Sequence, residues 1–318
     1  LVLADLPGDG LERLRQRCEV TLRSAGVASE AELSALVAGY HGLLSLLTQR
    51  VGERVFAAAE DLEIVANCAV GVDNIDLGAA ERRGVVVTHT PDVLTDDTAD
   101  LAWALILAVS RGVVSGDAIM RRQEYDGWQP RFIVGRSLTG SRLGVIGAGR
   151  IGRAVLARAP AFGVETRYYQ RHRLPIDTEG ELGTEWCPLD ELLATADIVS
   201  LHASLNDENR YLLNAETMAA MKPGSLVINT ARGPLIDEAA LAEALRSGHL
   251  GGAGLDVYEN EPRVHPRLVG LENVVLLPHI GSATWETRVR MADCCFADLI
   301  TMLADGRVPA RALVGTVG

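Results

Sequence analysis

Three side chains in the second half of the chain have the types needed for anion binding and acid–base work. Arg232 follows an apolar run in Leu226-Val-Ile-Asn-Thr-Ala-Arg-Gly233, Glu261 lies in Asn260-Glu-Pro262, and His279 lies in Pro278-His-Ile-Gly-Ser-Ala283. An arginine holds a carboxylate through two parallel charge-assisted hydrogen bonds, and a histidine exchanges a proton near neutral pH. A glutamate beside that histidine favours its charged form. Together the three can bind a 2-oxo acid, polarise its carbonyl and deliver a proton to its oxygen. Taken singly each is weak, because an arginine after a strand is most often a surface ion-pair former and the other two read as loop residues next to prolines. What the set lacks is a hydride.

A hydride source is announced upstream by Ser141-Arg-Leu-Gly-Val-Ile-Gly147-Ala-Gly149-Arg-Ile-Gly152. Leu143 to Ile146 is a short apolar run suited to a buried strand. The glycines that follow permit a tight turn, close backbone approach to a pyrophosphate and close helix packing. Such a loop alone is a weak signal. Its setting strengthens it: a strand before, a helical pattern at Arg150 to Arg158 after, and a second strand at Val164 to Tyr169.

The elements that must position these residues alternate strand and helix throughout, which implies α/β architecture with parallel sheets covered on both faces. From Leu143 onward six strands are expected, at 143–146, 164–169, 197–201, 225–229, 252–256 and 274–277. Six strands suffice for a dinucleotide-binding sheet. The first ninety residues hold their own alternation, with strands near Val2–Ala4, Leu43–Leu46, Glu63–Ala66 and Val85–Val87, and so form a separate domain. After Ala283 comes one long helix, Thr284 to Leu303, and a tail. Pro91–Thr98 and Gly281–Thr284 are the expected crossings, with Asp96 or Asp97 placed to cap a helix near Thr98.

The chain resembles the D-isomer-specific 2-hydroxyacid dehydrogenase family, and within it the glyoxylate/hydroxypyruvate reductase branch. The resemblance runs from Asn67-Cys-Ala-Val-Gly-Val-Asp-Asn-Ile-Asp76 through the glycine loop to the His279 motif. It implies a Rossmann dinucleotide-binding domain, residues 96–283, inserted into a flavodoxin-like substrate-binding domain formed by 1–95 and 284–318. It implies a substrate carboxylate held by the N–H groups of Val70 and Gly71, Arg232 on carboxylate and carbonyl, and His279 as acid/base kept protonated by Glu261. Ser282 and Trp128 join the substrate set, with Trp128 reaching toward a partner subunit's pocket. The implied dinucleotide set is Thr98, Gly147, Gly149, Arg150, Ile151, Gly152, Gln170, Arg171, His202, Thr230, Ala231, Asp256 and Gly281. Relatives are mostly dimers joined through the cofactor domain, so a homodimer is expected.

Cofactor choice hangs on one departure. NAD-preferring relatives carry an acid at the end of the second strand, whereas Tyr168-Tyr-Gln-Arg-His-Arg173 puts Gln170 there and two arginines after it. An acid repels a 2′-phosphate and an arginine attracts it, so NADPH is favoured, with NADH as a second cofactor. Ser204 stands where relatives usually have proline, a matter of local loop shape. Competing readings are a 2-ketogluconate reductase and a phosphite dehydrogenase-like oxidoreductase, the latter using a lysine where Val70 stands. A corepressor-type dinucleotide sensor on the same fold is the reading from another class.

Composition agrees with a cytoplasmic enzyme of two domains. The 318 residues carry 30 basic and 42 acidic side chains, a formal charge of −12, which argues against nucleic acid or anionic membrane as partner. The longest apolar run, Leu101 to Val109, is far short of the ~20 residues that span a bilayer, and no signal-peptide pattern opens the chain. Five cysteines without a C-x-x-C pair, and seven histidines without metal-ligand spacing, argue for reduced thiols and no metal site. Lys222 is the single lysine, in a turn, so Schiff-base chemistry has no seat.

Overall fold

The computed structural model describes residues 1–314. Among them the strands run, in chain order, β1 (Gly42–Leu46), β2 (Ile64–Cys68), β3 (Val86–Thr88), β4 (Arg142–Ile146), β5 (Glu165–Tyr169) and β6 (Thr184–Trp186). They continue as β7 (Ile198–Leu201), β8 (Leu226–Asn229), β9 (Gly252–Leu255), β10 (Val274–Leu276) and β11 (Ala312–Val314). The chain forms two compact units, Leu1–Leu94 with Ser282–Gly318, and Thr95–Gly281. The expected tail residues 315–318 lie outside the described residues.

The first unit is built on a sheet ordered β1-β2-β3-β11. The first three strands pair in parallel, and every residue of β2 is buried, as the apolar run Ile64-Val-Ala requires of a strand covered on both faces. β11 closes the edge antiparallel to β3, so this sheet is mixed rather than wholly parallel. The expected first strand near Val2–Ala4 is reduced to bridges from Val2 to Leu22 and Leu44. The helix Trp285–Leu303, capped by the Thr284 hydroxyl accepting from the Thr287 N–H, buries Cys295, Phe296 and Leu299. A side chain at Gly42 would strike Leu303, so the missing Cβ lets this helix lie close on β1.

The second unit carries a parallel sheet ordered β10-β9-β8-β7-β4-β5-β6. It has seven strands, not the six expected: β6, three residues with a charged Glu185 in the middle, adds itself to the edge. The chain runs outward from β4 to β6, then returns to the other side of β4 and continues from β7 to β10. The reversal falls between β4 and β7, and ligands of open α/β sheets bind beyond the carboxyl ends of strands at such a point. The helix Thr95–Arg111 contains the apolar run 101–109 and buries Trp103, Leu105 and Ile106 in this unit's core. It starts at Thr95, so Asp96 and Asp97 sit inside its first turn, where their charge complements the positive end of the helix dipole, rather than at the cap.

No single helix among the described residues is long and apolar enough to cross a membrane. All five cysteines are free, with Cys68, Cys187 and Cys295 buried. Among the described residues no cluster of His, Cys, Asp or Glu could hold a metal ion.

Candidate active site

The glycine loop shows why each glycine is there. Gly147 has φ +94°, and a Cβ on it would come within 2.5 Å of the Ala203 N beyond β7. A Cβ on Gly152 would lie 2.0 Å from the Gly147 carbonyl oxygen, so only glycine lets the helix Arg150–Arg158 start this close to β4. Gly149, its N-cap, faces open space. The turn thus brings an exposed helix start, with Arg150 and Ile151, to the carboxyl end of β4, the arrangement that receives a pyrophosphate.

Two buried polar atoms at neighbouring strand ends have no partner, Nδ1 of His202 after β7 and Oγ1 of Thr230 after β8. Nε2 of His202 lies 2.8 Å from the Ser200 hydroxyl. Burial pushes its imidazole down to about 3, so His202 stays neutral at physiological pH. A dinucleotide lying across the β4–β7 reversal fits this cradle of glycines, helix start and unpaired polar atoms.

Gln170, at the end of β5, faces inward: its Oε1 accepts from the Ala148 N–H at 3.1 Å and its Nε2 donates to the His172 carbonyl. The two arginines beside it differ. Arg173 donates twice to Glu179, at 2.8 and 2.6 Å, and is committed to the fold. The Arg173 bonds, the largest influence, hold the Glu179 carboxyl down at about 2 against its burial, helped by the Tyr168 hydroxyl. Arg171 instead makes an exposed pair with Glu208 at 2.8 Å.

The chemical corner is assembled from the ends of β8, β9 and β10. Gly233 brings the first two together, since a Cβ there would overlap the Tyr258 carbonyl carbon at 1.8 Å. Arg232, just before it, is held by its carbonyl accepting from the Asn229 amide, while its own Nη1 donates to the Ala231 carbonyl. Asn229 Oδ1 in turn accepts from the Ala231 N–H. Tyr258 donates its hydroxyl to the Leu255 and Leu277 carbonyls, tying the ends of β9 and β10.

His279 and Glu261 meet here, Nδ1 to Oε2 at 2.9 Å. A carboxylate can only accept, so Nδ1 carries the hydrogen and Nε2 is the nitrogen left to face a substrate. The other Glu261 oxygen accepts from the Tyr258 N–H. Burial raises the Glu261 carboxyl, but the bond and charge of His279, the Tyr258 N–H and the Arg232 charge outweigh it and leave it below its ordinary value. Glu261 is therefore charged at neutral pH.

His279 itself sits at φ +56°, a left-handed conformation that costs a non-glycine residue roughly 1–2 kcal/mol. Asp256 holds it there. That carboxylate, only 1% exposed, accepts from the Ile280 and Gly281 N–H groups, each at 2.8 Å. Burial, the largest influence, leaves Asp256 above its ordinary value despite those bonds and the His279 charge. Thr98 adds a hydroxyl bond to the Gly281 carbonyl. Sequence had pointed to Asp256 and Gly281 only as dinucleotide neighbours; their part in aiming His279 depends on a turn geometry that spacing does not reveal.

Arg232, Glu261, His279, Asp256 and all the dinucleotide candidates belong to the second unit. Val70, Gly71 and Ser282 belong to the first. Trp128 is 81% exposed in the stretch between the helix Val113–Arg122 and β4, so it packs into no core of its own unit.

Comparison with known proteins decides the family. The family described as D-isomer specific 2-hydroxyacid dehydrogenase, NAD binding domain, matches residues 103–281. The glyoxylate reductase of Thermococcus onnurineus is 42% identical over 314 residues, covering 97% of this chain and 93% of that protein. The chain belongs to the D-isomer-specific 2-hydroxyacid dehydrogenases. Among solved members of the family, a Paecilomyes thermophila glyoxylate reductase superposes with a TM-score of 0.88 at 31% identity, over 98% of this chain and 97% of that one. An NADPH-dependent glyoxylate/hydroxypyruvate reductase of Sinorhizobium meliloti, solved with NADP and malonate, gives a TM-score of 0.86 at 33% identity, over 99% and 96%. As a D-2-hydroxyacid dehydrogenase this chain is an NAD(P)-dependent oxidoreductase that reduces 2-oxo acids to 2-hydroxy acids.

Proposed function

We propose that the chain reduces glyoxylate or hydroxypyruvate to the D-2-hydroxy acid, with NADPH preferred over NADH. The observation that carries this reading is the Nδ1–Oε2 bond of His279 and Glu261, fixed from behind by Asp256. The N–H groups of Val70 and Gly71 bind the substrate carboxylate, with Ser282 and Trp128 completing the substrate contacts. Arg232 bonds the carboxylate and the carbonyl oxygen, drawing charge toward that oxygen as it becomes an alkoxide. The reduced nicotinamide, when bound, supplies a hydride to the carbonyl carbon. Nε2 of His279 gives its proton to the oxygen, and Glu261 stabilises the imidazolium until that moment. In oxidation the same nitrogen takes the proton back.

Gly147, Gly149, Arg150, Ile151 and Gly152 hold the pyrophosphate, and Thr98, His202, Thr230, Ala231, Asp256 and Gly281 flank the nicotinamide half. Preference for NADPH rests on Gln170, which brings no negative charge to the 2′ position, and on Arg171, whose partner among the described residues is the exposed Glu208 carboxylate. Arg173 is withdrawn by Glu179 and takes no part. Val113, Val114, Met120, Trp128 and Ile133 are exposed apolar side chains in the Val113–Arg122 helix and the stretch after it. They support a homodimer formed through the second unit, the cytoplasm being the expected compartment, and the charge of −12 speaks against nucleic acid or an anionic membrane. Steady-state rates with glyoxylate, hydroxypyruvate, pyruvate and 2-ketogluconate, each with NADPH and NADH, test the reading. Turnover confined to 2-ketogluconate, or equal efficiency with both dinucleotides, would overturn the corresponding part.

A further inference from the structure

The loop Ala69–Gly71 in the first unit has all three of its carbonyls turned into the protein. The Ala69 carbonyl accepts from the Thr90 N–H at 2.9 Å, the Val70 carbonyl lies 2.9 Å from Nδ1 of His89, and the Gly71 carbonyl accepts from the Asn67 amide at 3.0 Å. A carbonyl can only accept, so His89 presents Nδ1–H to Val70. Behind the loop Asn67, fully buried, is itself fixed: its Oδ1 accepts from the Ser45 hydroxyl at 3.2 Å, and Asn74 bonds the Leu46 and Gln49 carbonyls. Among the described residues the N–H groups of Val70 and Gly71 donate to no protein acceptor. A peptide unit whose carbonyl is pinned on one side projects its neighbouring N–H on the other, so two adjacent unspent donors form a small anion-binding nest.

We propose that His89 is a positioning residue for substrate binding: by holding the Val70 carbonyl inward it aims the Gly71 N–H of the same peptide unit at the carboxylate of the 2-oxo acid, as the Thr90 N–H on the Ala69 carbonyl does for the Val70 N–H. This rests on the reading that those two N–H groups bind the carboxylate. His89 directly follows β3, and the sheet register sets the ends of β2 and β3 side by side, which is why the contact spans 19 residues of sequence. The role needs one N–H donor of fixed direction and no proton transfer. Loss of it loosens the nest and leaves the acid–base pair in the other unit untouched.

The test is steady-state kinetics of the full-length enzyme with glyoxylate, and inhibition by oxamate, for His89→Ala, His89→Phe and His89→Asn. Removal of the donor in the alanine and phenylalanine variants raises the KM for glyoxylate and the Ki for oxamate roughly three- to tenfold, the size of one hydrogen bond. It leaves kcat within about twofold and the dinucleotide KM unchanged, and the asparagine variant, which restores a donor, recovers most of the loss. Should the alanine variant be unstable, the phenylalanine variant, which keeps the ring volume, carries the same comparison. Residue 71 incorporated as glycolic acid, which replaces its N–H by an ester oxygen, separates the two levels. A raised KM for the ester with unchanged KM for the His89 variants removes the role of His89 alone. An ester with unchanged KM removes the carboxylate reading and the proposal with it.

Discussion

Two corners of the second unit carry the proposed roles and are built in opposite ways. The corner at Asp256, Glu261 and His279 is over-determined: each carboxylate oxygen of Asp256 and Glu261 has a donor, and a strained backbone at His279 is kept in place by them. The corner at Gln170 and Arg171 is open, with one exposed ion pair between Arg171 and Glu208 whose side chains are 66% and 74% exposed. Exposed pairs of this kind contribute little, about 0–1 kcal/mol, so Arg171 can leave Glu208 for a phosphate at small cost. The proton donor must be in place within a fraction of an ångström before hydride arrives, whereas discrimination between dinucleotides needs only a charge in the right place. Rigidity is spent where the geometry of bond-making demands it.

The largest expected effect breaks the rigid corner. His279→Ala removes the proposed proton donor and is expected to lower reductase turnover by ~10²–10⁴, the range typical of a general acid, while dinucleotide binding measured by fluorescence titration stays close to that of the parent. A variant that keeps most of its turnover would return His279 to the role of a loop residue.

Glu261→Gln sharpens the same corner through pH. The variant keeps an acceptor for Nδ1 but removes the negative charge beside the imidazolium, and with it the pH dependence that a titrating carboxylate at this position imposes on reduction. The sign on the acid side follows from Glu261 itself. Its carboxyl lies below the ordinary value, so in the parent the charged pair persists as pH falls and is lost only below the usual glutamate range. Superimposable pH–rate profiles for parent and variant would argue against a functional pair.

Arg171→Ala tests the open corner. The expected outcome is a loss of roughly tenfold in kcat/KM with NADPH, one charge-assisted contact reduced by solvent, and little change with NADH. An equal loss with both dinucleotides would mean that Arg171 supports the fold of the loop and does not read the phosphate.

The same contrast governs what could be read from sequence. Strands β4, β7, β8 and β10 carry short apolar runs, β5 alternates buried Thr166 and Tyr168 with more exposed neighbours, and β9 is a buried Gly-Ala-Gly-Leu; all were legible, as were the glycine loop and the order Arg232, Glu261, His279. β6 escaped because Thr184-Glu-Trp186 is short and half polar, and β11 because a three-residue strand at the edge of a sheet has no period to detect. Asp256 holding the turn after His279, Gly233 pressed against Tyr258, and His89 on Val70 are products of strand register and backbone shape. They join residues 25, 25 and 19 positions apart, distances over which no local pattern survives. Arg173 pairs with the buried Glu179 and Arg171 with the exposed Glu208, a difference that two neighbouring arginines do not reveal until their partners are known.

The smallest expected effect concerns Trp128, which belongs to neither corner. A tryptophan 81% exposed keeps its apolar ring in water, which is unfavourable in a lone chain, and exposed Val113, Val114 and Ile133 accompany it in the same unit. The proposed homodimer gives it a function: a large rigid ring from one subunit forming a wall of its partner's substrate pocket, suited to small 2-oxo acids and crowding out bulky ones. Trp128→Ala then raises the KM for hydroxypyruvate a fewfold, or admits larger 2-oxo acids, while the KM for NADPH is unchanged. One methylene-scale change in a pocket is worth about 1–3 kcal/mol, and loss of a partly solvated ring wall falls at the low end of that range. Analytical ultracentrifugation supplies the independent check. A monomer at assay concentration, or a dimer whose Trp128→Ala variant keeps the parent's substrate choice, would leave the ring without a part in the pocket.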